Sequence, residues 1–320
     1  MSVLLIFVDG IGLGEPRADV NPLATAPMPF VRGLLGGRAL VRDAAEDVAG
    51  ERPGSARLVA VDACLGVPGL PQSATGQTAM LTGINAARTL GRHLSGYPTP
   101  TLVHLLQARG LFRRLREVGL RATFANAFTD EYFAAVETGR LRHSATTTAV
   151  LSAGLPVRRL DDLLAGRAVF HDVTGESLRS RGYDVPVITP AEAGRRLAAL
   201  AAEHDFTLFE HFLTDLAGHA QDWGEAQRLL ALLDELLAAV AAHADLTATT
   251  VIMLSDHGNL EDLSVKTHTR NPVPGLFFGP GSAFFAAAVR SLCDIAPAVF
   301  AYLTSPGMRP APAGGGPGNE

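Results

Sequence analysis

Residues 251–259 have the sequence VIMLSDHGN, in which a run of four apolar residues is followed by polar residues and a glycine. A short, wholly apolar run of this kind is typical of a strand buried on both faces in a parallel sheet covered by helices. Asp256 and His257 follow the run after Ser255, and adjacent side chains normally point apart. Both can reach one site only where the strand has ended and the backbone bends, which Gly258 permits. The stretch therefore predicts a buried strand with site residues at its carboxyl end.

Similar short apolar runs alternate with segments of helical periodicity along the rest of the chain. The predicted strands are residues 3–8, 57–62, 122–127, 206–212, 250–254 and 275–278. The predicted helices are residues 101–118, 191–203, 225–242 and 283–303. This alternation predicts an α/β fold with a mainly parallel central sheet and helices on both faces, formed as a single domain by residues 1–304. Residues 305–320 are rich in proline and glycine and are predicted to form a disordered tail.

The composition indicates a globular protein and leaves small charged metabolites open as partners. The chain has 320 residues, 47% of them hydrophobic, so it can bury a large core. Its formal net charge is −5 and its basic residues are scattered, which argues against nucleic acid or an anionic membrane as partner. The amino-terminal sequence does not resemble a signal peptide, so we expect a cytoplasmic protein. Cys64 and Cys293 lack CxxC spacing and are predicted to be buried thiols in a reducing compartment. The sequence leaves the oligomeric state open.

Three further polar groups flank predicted strands. Asp9 follows the first strand, Asp215 and His219 follow the fourth, and His268 lies in the loop before the last. If the segment after the fourth strand is helical, its aspartate and histidine lie four residues apart on one face and can chelate one ion. Each group taken singly has an ordinary interpretation as a turn, cap or loop residue. Together with the aspartate and histidine after the fifth strand, they form a carboxylate and imidazole set that suits two divalent ions.

A hydroxyl group that could act on a phosphate lies in the segment GLPQSATGQTAMLTG, residues 69–83. A loop of small residues entering a helix near Gly76 would present Ser73 beside backbone N–H groups and the positive end of the helix dipole. Such a place favours a phosphate group. The same sequence is also typical of an ordinary helix cap. Thr75 is a second candidate hydroxyl, and composition alone does not separate the two.

Three motifs are specific in their residues and spacing: DxxGH at residues 215–219, SDHGNxE at residues 255–261 and HTxNPVP at residues 268–274. Together they resemble the metalloenzyme branch of the alkaline phosphatase superfamily, the group that contains cofactor-independent phosphoglycerate mutase and phosphopentomutase. The resemblance also covers residues 3–14 and 69–83, in the order found in the family.

The resemblance implies a site for two divalent ions, Mn or Zn. One ion would be held by Asp215, His219 and His268, and the other by Asp9, Ser73, Asp256 and His257. Mixed carboxylate and imidazole ligation suits Zn or Mn, and the likeness to the mutases favours Mn. It also favours Ser73 over Thr75 as the nucleophile, because the mutases place their nucleophile three residues before the glycine equivalent to Gly76.

Two departures from the mutase pattern bear on activity. Gln77 stands where the mutases have histidine, which alters contacts near the phosphate. The interval between Ser73 and Asp215 is too short for the large cap domain of the mutases and leaves room for a small lid at about residues 132–173. Without a cap, water should reach a phosphoserine intermediate. We therefore predict a two-metal phosphohydrolase that cleaves a small phosphomonoester or phosphodiester through phosphorylated Ser73.

Two alternatives and one further residue complete the predictions. The first alternative is a phosphomutase, in which the phosphoryl group returns to another hydroxyl of the same substrate. The second is a catalytically silent metal-binding protein. Lys266 is the only lysine of the chain and lies two residues before His268, so its ammonium is predicted to stabilise charge on the substrate phosphate. The alternative for Lys266 is a solvated loop residue.

Overall fold

The computed structural model describes residues 1–46 and 56–305 of the chain. Most of its strands form one six-stranded sheet, and two short strands pair separately in parallel. In chain order the strands are β1 (Ser2–Val8), β2 (Arg57–Val61), β3 (Ala122–Phe124), β4 (Ala127–Phe128), β5 (Arg158–Arg159), β6 (Phe206–His211), β7 (Thr249–Leu254) and β8 (Val273–Phe278). The predicted tail, apart from Ser305, lies outside the described residues.

The large sheet has the strand order β2-β8-β7-β1-β6-β3. Its central strand, β1, pairs in parallel with β6 on one side and β7 on the other. Strand β3 extends the parallel part beyond β6, whereas β8 is antiparallel to both β7 and β2. The predicted mainly parallel sheet is confirmed. Because β1, β6 and β7 run in the same direction, their carboxyl ends lie side by side, where open α/β sheets bind ligands.

Helices connect the strands and cover the sheet. They are α1 (Pro22–Thr25), α2 (Pro29–Leu34), α3 (Arg42–Glu46), α4 (Ser73–Thr82), α5 (Ala86–Leu90), α6 (Pro100–Arg109), α7 (Leu111–Glu117), α8 (Asp130–Glu137), α9 (Ala145–Ser152), α10 (Leu160–Leu164), α11 (Glu176–Ser180), α12 (Pro190–Glu203), α13 (Leu213–Ala220), α14 (Trp223–His243), α15 (Ser282–Ala288) and α16 (Ile295–Thr304). In the described part of the chain, none of the helices combines the length and the apolar composition needed to cross a membrane.

Strand β1 shows how the sheet is covered on both faces. Leu4 and Ile6 pack into one buried cluster with residues of α12 and α14. Leu5 and Phe7 point to the opposite face and pack with residues of α4, α7 and α16. This alternation follows from the two-residue period of a strand, and every apolar residue of β1 is buried because both faces are covered. The prediction of helices on both faces is confirmed.

Two of the predicted helices are interrupted, so the predictions of continuous helices over residues 101–118 and 283–303 are wrong. The first divides into α6 and α7 at Gly110, whose backbone is extended. The second divides into α15, the 3-10 helix Leu292–Asp294 and α16. The second interruption has a tertiary cause. Asp62, at the end of β2, accepts a hydrogen bond from the Leu292 N–H and donates its own N–H to Arg290, which holds the chain extended between the helices.

Two smaller predictions also need comment. Cys64 and Cys293 are free thiols, but both are half-buried and not buried as predicted, because each lies in a loop or short turn at the edge of the core. Residues 132–173, predicted as a lid, have two different environments. Helix α9 contributes Ala149 and Val150 to the main core, whereas Leu163 and Phe170 belong to a small separate apolar cluster.

Helices α12 and α14 cross very closely at Gly194. A Cβ atom at this position would lie 2.6 Å from both the Ala239 Cβ and the Leu236 carbonyl oxygen. We expect Gly194→Ala to lower the free energy of unfolding by about 1–3 kcal/mol, because the helices must move apart. Gly33→Ala is the matched control, since no atom lies within 4 Å of its Cβ position in α2. It should raise the free energy of unfolding by roughly 0.5–1 kcal/mol. Urea denaturation measures the free energy of unfolding of both variants. Equal changes in the two variants would contradict the close crossing of α12 and α14.

Candidate active site

The structure brings the predicted ligand residues together at the carboxyl ends of the central strands. Asp9 follows β1, and the chain after β6 turns into α13, so that Asp215 and His219 lie on one helical face as predicted. The remaining members come from α4, from the loop after β7 and from the loop before β8, and they are Ser73, Asp256, His257 and His268.

One group that could hold a metal ion consists of Asp215, His219 and His268. The His219 Nε2 atom lies 3.3 Å from the Asp215 Oδ2 atom, and the His268 Nε2 atom lies 3.6 Å from the Asp215 Oδ1 atom. The Nε2 atoms of the two histidines are 3.1 Å apart. Carboxylate and imidazole atoms at this spacing can reach a common cation.

The orientation of the two histidines fits a metal ion. The His219 Nδ1–H donates to the Lys266 carbonyl oxygen at 2.7 Å, and the His268 Nδ1–H donates to the Pro71 carbonyl oxygen at 2.8 Å. In the neutral rings, the Nε2 lone pairs therefore point at one another. A cation between the two Nε2 atoms would replace this repulsion with attraction. Metal-binding histidines usually donate their other ring N–H to an acceptor such as a backbone carbonyl, as both histidines do here.

A second group surrounds His257. Its Nε2 atom lies 3.1 Å from the Asp9 Oδ1 atom, 3.7 Å from the Asp256 Oδ1 atom and 3.0 Å from the Ser73 hydroxyl oxygen. The two carboxylate oxygens are buried and accept no hydrogen bond. Buried acceptors without donors are unfavourable, and a cation would satisfy both. Asp215 lies between the two groups, because its Oδ1 atom is also 3.9 Å from the His257 Nδ1 atom.

The protonation of the second group indicates competition between protons and a metal ion. Burial raises the pKa of Asp256 well above its usual range, and the Asp9 carboxylate adds to this shift. Burial by itself lowers the pKa of His257, but the carboxylates of Asp256 and Asp9 outweigh it and raise this pKa to about 10. A divalent cation favours the ionised carboxylates and the neutral imidazole. Binding of the ion must therefore release protons.

The two candidate hydroxyl groups differ in their surroundings. Ser73 is the first residue of α4, and its hydroxyl forms a hydrogen bond with His257. Helix α4 has no side-chain cap, and the Thr75 N–H donates to the Leu94 carbonyl oxygen at 3.3 Å, so among the described residues the N–H groups of Ser73 and Ala74 remain available to an anion. The Thr75 hydroxyl instead donates to the Gln72 carbonyl oxygen and accepts from the Leu94 N–H. Only the Ser73 hydroxyl is in contact with the candidate metal ligands.

Glu261 is a site residue to which sequence reasoning gave no role. Its buried carboxylate accepts hydrogen bonds from the N–H groups of Gly12 and Asn259, each at 2.8 Å. It also accepts from the side chains of Thr269 and Asn271. The Gly12 N–H belongs to the loop after β1, whereas the other three donors belong to the loop between β7 and β8 that contains Glu261 itself. The last residue of the SDHGNxE motif was the available signal, but only the fold shows that it joins this loop to the loop after β1.

Other polar residues complete the site. Gln77 donates to the Asp256 Oδ2 atom at 3.3 Å, so it contacts a candidate ligand. Asn259 donates to the Asp215 Oδ1 atom at 2.7 Å and orients it. Glu210, near the end of β6, is buried, and burial together with the Asp9 carboxylate raises its pKa to about 8. A charged residue inside a predicted apolar strand was the signal for it. Lys266 is exposed, and it contributes its carbonyl oxygen to His219.

A cavity of about 830 Å³ adjoins these groups. Asp9, Ser73, Gln77, Glu210 and Asp215 line its inner end. Helix α8 and the segment between α8 and α9 also line the cavity, and so do three arginines: Arg140, Arg142 and Arg181. Lys266 is not among the lining residues. Of the candidate ligands, Asp9, Ser73 and Asp215 thus face a space large enough for a small organic substrate.

Comparison with known proteins agrees with this site. Residues 182–306 match the family model described as the Metalloenzyme superfamily. A 2,3-bisphosphoglycerate-independent phosphoglycerate mutase from Methylobacillus flagellatus is 28% identical over 131 residues, which cover 38% of this chain and 25% of the relative. The corresponding protein of Desulforudis audaxviator is 29% identical over 131 residues, covering 39% of this chain and 26% of the relative. The match thus spans about a quarter of the length of these curated relatives.

A solved structure extends the likeness to the whole fold. The PH0037 protein from Pyrococcus horikoshii has a TM-score of 0.57 and 16% identity, covering 94% of this chain and 96% of that chain. The predicted resemblance to the metalloenzyme branch of the alkaline phosphatase superfamily is confirmed. The residues matched by the family model include Asp215, His219, His257 and His268, which belong to side-chain groups that could hold a metal ion.

The Glu261 carboxylate is expected to stabilise the positions of the loops that carry candidate metal ligands. Glu261→Gln replaces one acceptor oxygen with an NH₂ group that faces hydrogen-bond donors. We expect this change to lower the free energy of unfolding by about 1.5–3 kcal/mol and to weaken Mn binding. Glu137→Gln, at an exposed glutamate of α8, is the control and should change the free energy of unfolding by less than about 0.5 kcal/mol. Urea denaturation and Mn titration followed by calorimetry test both expectations, and a stable Glu261→Gln variant with full Mn affinity would refute them.

Removal of a ligand from either group should reduce metal binding. We expect Asp215→Ala and His257→Ala each to lose about one Mn ion per chain in elemental analysis. Each change removes one ligand of an ion, and the carboxylates that remain repel one another when no ion is bound. His243→Ala, at an exposed histidine at the end of α14, should retain the full content. The affinity of the native protein for Mn should also rise as the pH approaches the His257 pKa of about 10. Unchanged metal content in both site variants would contradict the assignment.

Proposed function

We propose that the protein is a phosphohydrolase that uses two divalent ions and Ser73 as its nucleophile. The observation that carries this proposal is the position of the Ser73 hydroxyl. It is 3.0 Å from the His257 Nε2 atom, at the first residue of a helix and beside both groups of candidate ligands. A nucleophile next to anion-binding N–H groups and cation-binding side chains suits phosphoryl transfer.

The residues of the site would have separate roles in the reaction. Asp215, His219 and His268 would hold one ion, and Asp9, Ser73, Asp256 and His257 the other. Such ions lower the pKa of a serine hydroxyl and neutralise charge on phosphoryl oxygens. The Ser73 oxygen attacks phosphorus, the bond between phosphorus and the ester oxygen breaks, and the alcohol leaves with a proton. Water then attacks phosphoserine, which releases inorganic phosphate and restores Ser73.

The cavity supports a small phosphorylated substrate. Arg140 and Arg142 line it, and among the described residues neither has a carboxylate partner, whereas Arg181 is paired with Glu131 at 2.9 Å. Two uncompensated guanidinium groups near the entrance attract an anion. We assign the cationic contribution to these arginines and not to the ammonium of Lys266, which lies outside the cavity.

Hydrolysis is favoured over a mutase reaction by the access of water. We propose that α8 and the segment before α9 form the small lid over the site, since both line the cavity. Tyr97, Leu141 and Leu216 line it too, and each is more than a third exposed, so the cavity reaches solvent. A mutase must shield its phosphoenzyme until the phosphoryl group returns to the substrate. The mutase names of the curated relatives make phosphomutase the second candidate.

The function is tested by phosphorus NMR of the Mn-loaded protein. We expect release of inorganic phosphate from an aryl phosphate, or of a phosphomonoester from a phosphodiester, with little isomerisation of phosphoglycerate or a pentose phosphate. The same assay with Zn tests the choice of metal. Isomerisation without release of phosphate would establish the mutase. Absence of both reactions with a full metal complement would favour a silent metal-binding protein.

The nucleophile is tested separately. Ser73→Ala should lower kcat at least about 1000-fold while the protein remains folded, because the covalent route is lost. Thr75→Ala is the matched control and should retain most of the activity, since its hydroxyl bonds only to backbone groups. Acid trapping followed by mass spectrometry should place the phosphate on Ser73, and phosphate on Thr75 would refute the assignment.

A further inference from the structure

A large share of the exposed apolar side chains of the protein lines the cavity beside Ser73. Eight large apolar side chains are exposed in the described part of the chain, and three of them line this one cavity. They are Tyr97, Leu141 and Leu216, with exposed fractions of 37%, 38% and 55%. Apolar side chains grouped in this way on a soluble protein are typical of a ligand-binding surface.

Aromatic rings form much of the wall between this apolar surface and the nucleophile. Phe128 and Tyr132 pack with their ring centroids 4.8 Å apart, and the Tyr132 hydroxyl is hydrogen bonded to the His143 Nδ1 atom at 2.9 Å. The imidazole of His171 stacks on Phe212 with centroids 4.3 Å apart and 25° between the planes. Phe128, Tyr132, His171 and Phe212 all line the cavity. These contacts fix the rings before any ligand arrives, which lowers the entropy lost on binding.

The Tyr97 side chain is in contact with the guanidinium group of Arg142. The Arg142 guanidinium lies 5.2 Å from the centre of the Tyr97 ring, and this contact restrains a side chain that is otherwise partly exposed. The pair therefore places an aromatic surface next to a positive charge at the entrance. An anionic molecule with a flat apolar part matches both features.

We propose that the organic group of the substrate is large, flat and apolar, an aromatic ring system that packs against this wall while its phosphoryl group faces Ser73. This inference rests on the proposed function and specifies its substrate class. A short polar alcohol would leave the aromatic wall and the three exposed side chains in contact with water. An aromatic group buries them, and each square ångström of apolar surface removed from water contributes roughly 25 cal/mol.

The test compares ethyl phosphate with naphthylethyl phosphate. Both are esters of primary alcohols, so their leaving groups have similar acidity, and a difference in kcat/KM reports the pocket and not the chemistry. We expect kcat/KM to be at least about 10-fold higher for the naphthyl ester. Leu141→Ala should reduce this ratio several-fold. The control is Leu164→Ala, which truncates an equally prominent leucine that is 53% exposed and does not line the cavity, and it should leave the ratio and the activity unchanged.

A binding measurement separates this inference from the proposed function. Calorimetry of the Mn-loaded protein with naphthylethylphosphonate and ethylphosphonate, which cannot be hydrolysed, should show the same preference and the same loss in Leu141→Ala. Turnover of both esters without a preference overturns the substrate class and leaves the hydrolase intact. Preferential binding of the naphthyl phosphonate without turnover of either ester supports the pocket and refutes the hydrolase. Equal binding of the two phosphonates overturns the inference whatever the activity.

Discussion

Four hydrogen bonds converge on the buried carboxylate of Glu261, which lies in the loop between β7 and β8, and join this loop to the loop after β1. These loops carry four of the candidate metal ligands: Asp9, Asp256, His257 and His268. A buried carboxylate is tolerated only when donors surround it, so the loops cannot move apart without leaving a charge unpaired. The close approach also explains Gly12, where a Cβ atom would overlap the Glu261 side chain. The candidate ligands on these loops are consequently held in fixed positions relative to one another.

The same assembly concentrates negative charge. Asp9 and Asp256 are buried beside His257, with carboxylate oxygens that accept no hydrogen bond, and Asp215 approaches the same imidazole. Proton uptake relieves this repulsion in part, as the raised pKa values of Asp256 and His257 show. Divalent ions relieve it further, so ion binding and the stability of this edge of the sheet are thermodynamically linked.

In the proposed function, chemistry and selectivity would come from different parts of the chain. The proposed nucleophile and the candidate ligands lie on α4, α13 and the loops at the carboxyl ends of the central strands. Helix α8 and the segment that follows it also line the cavity. Changes in these residues would therefore alter the organic group that is accepted while the groups proposed to face the phosphate stay in place. Such a division is one way in which a single fold can support several reactions.

The sequence alone determined the six strands of the large sheet to within about three residues, the helical position of Asp215 and His219, and the gathering of polar residues after buried strands, because these features depend on local periodicity and on the direction of parallel strands. It did not predict β5, and it predicted one strand over residues 122–127 where the structure has β3 and β4 in separate sheets. It did not determine the interruption of the last predicted helix, which comes from backbone hydrogen bonds to Asp62. It also missed the role of Glu261, whose carboxylate accepts a hydrogen bond from the Gly12 N–H. These features depend on contacts between segments far apart in the chain, and only the packing of loops around the finished sheet creates such contacts.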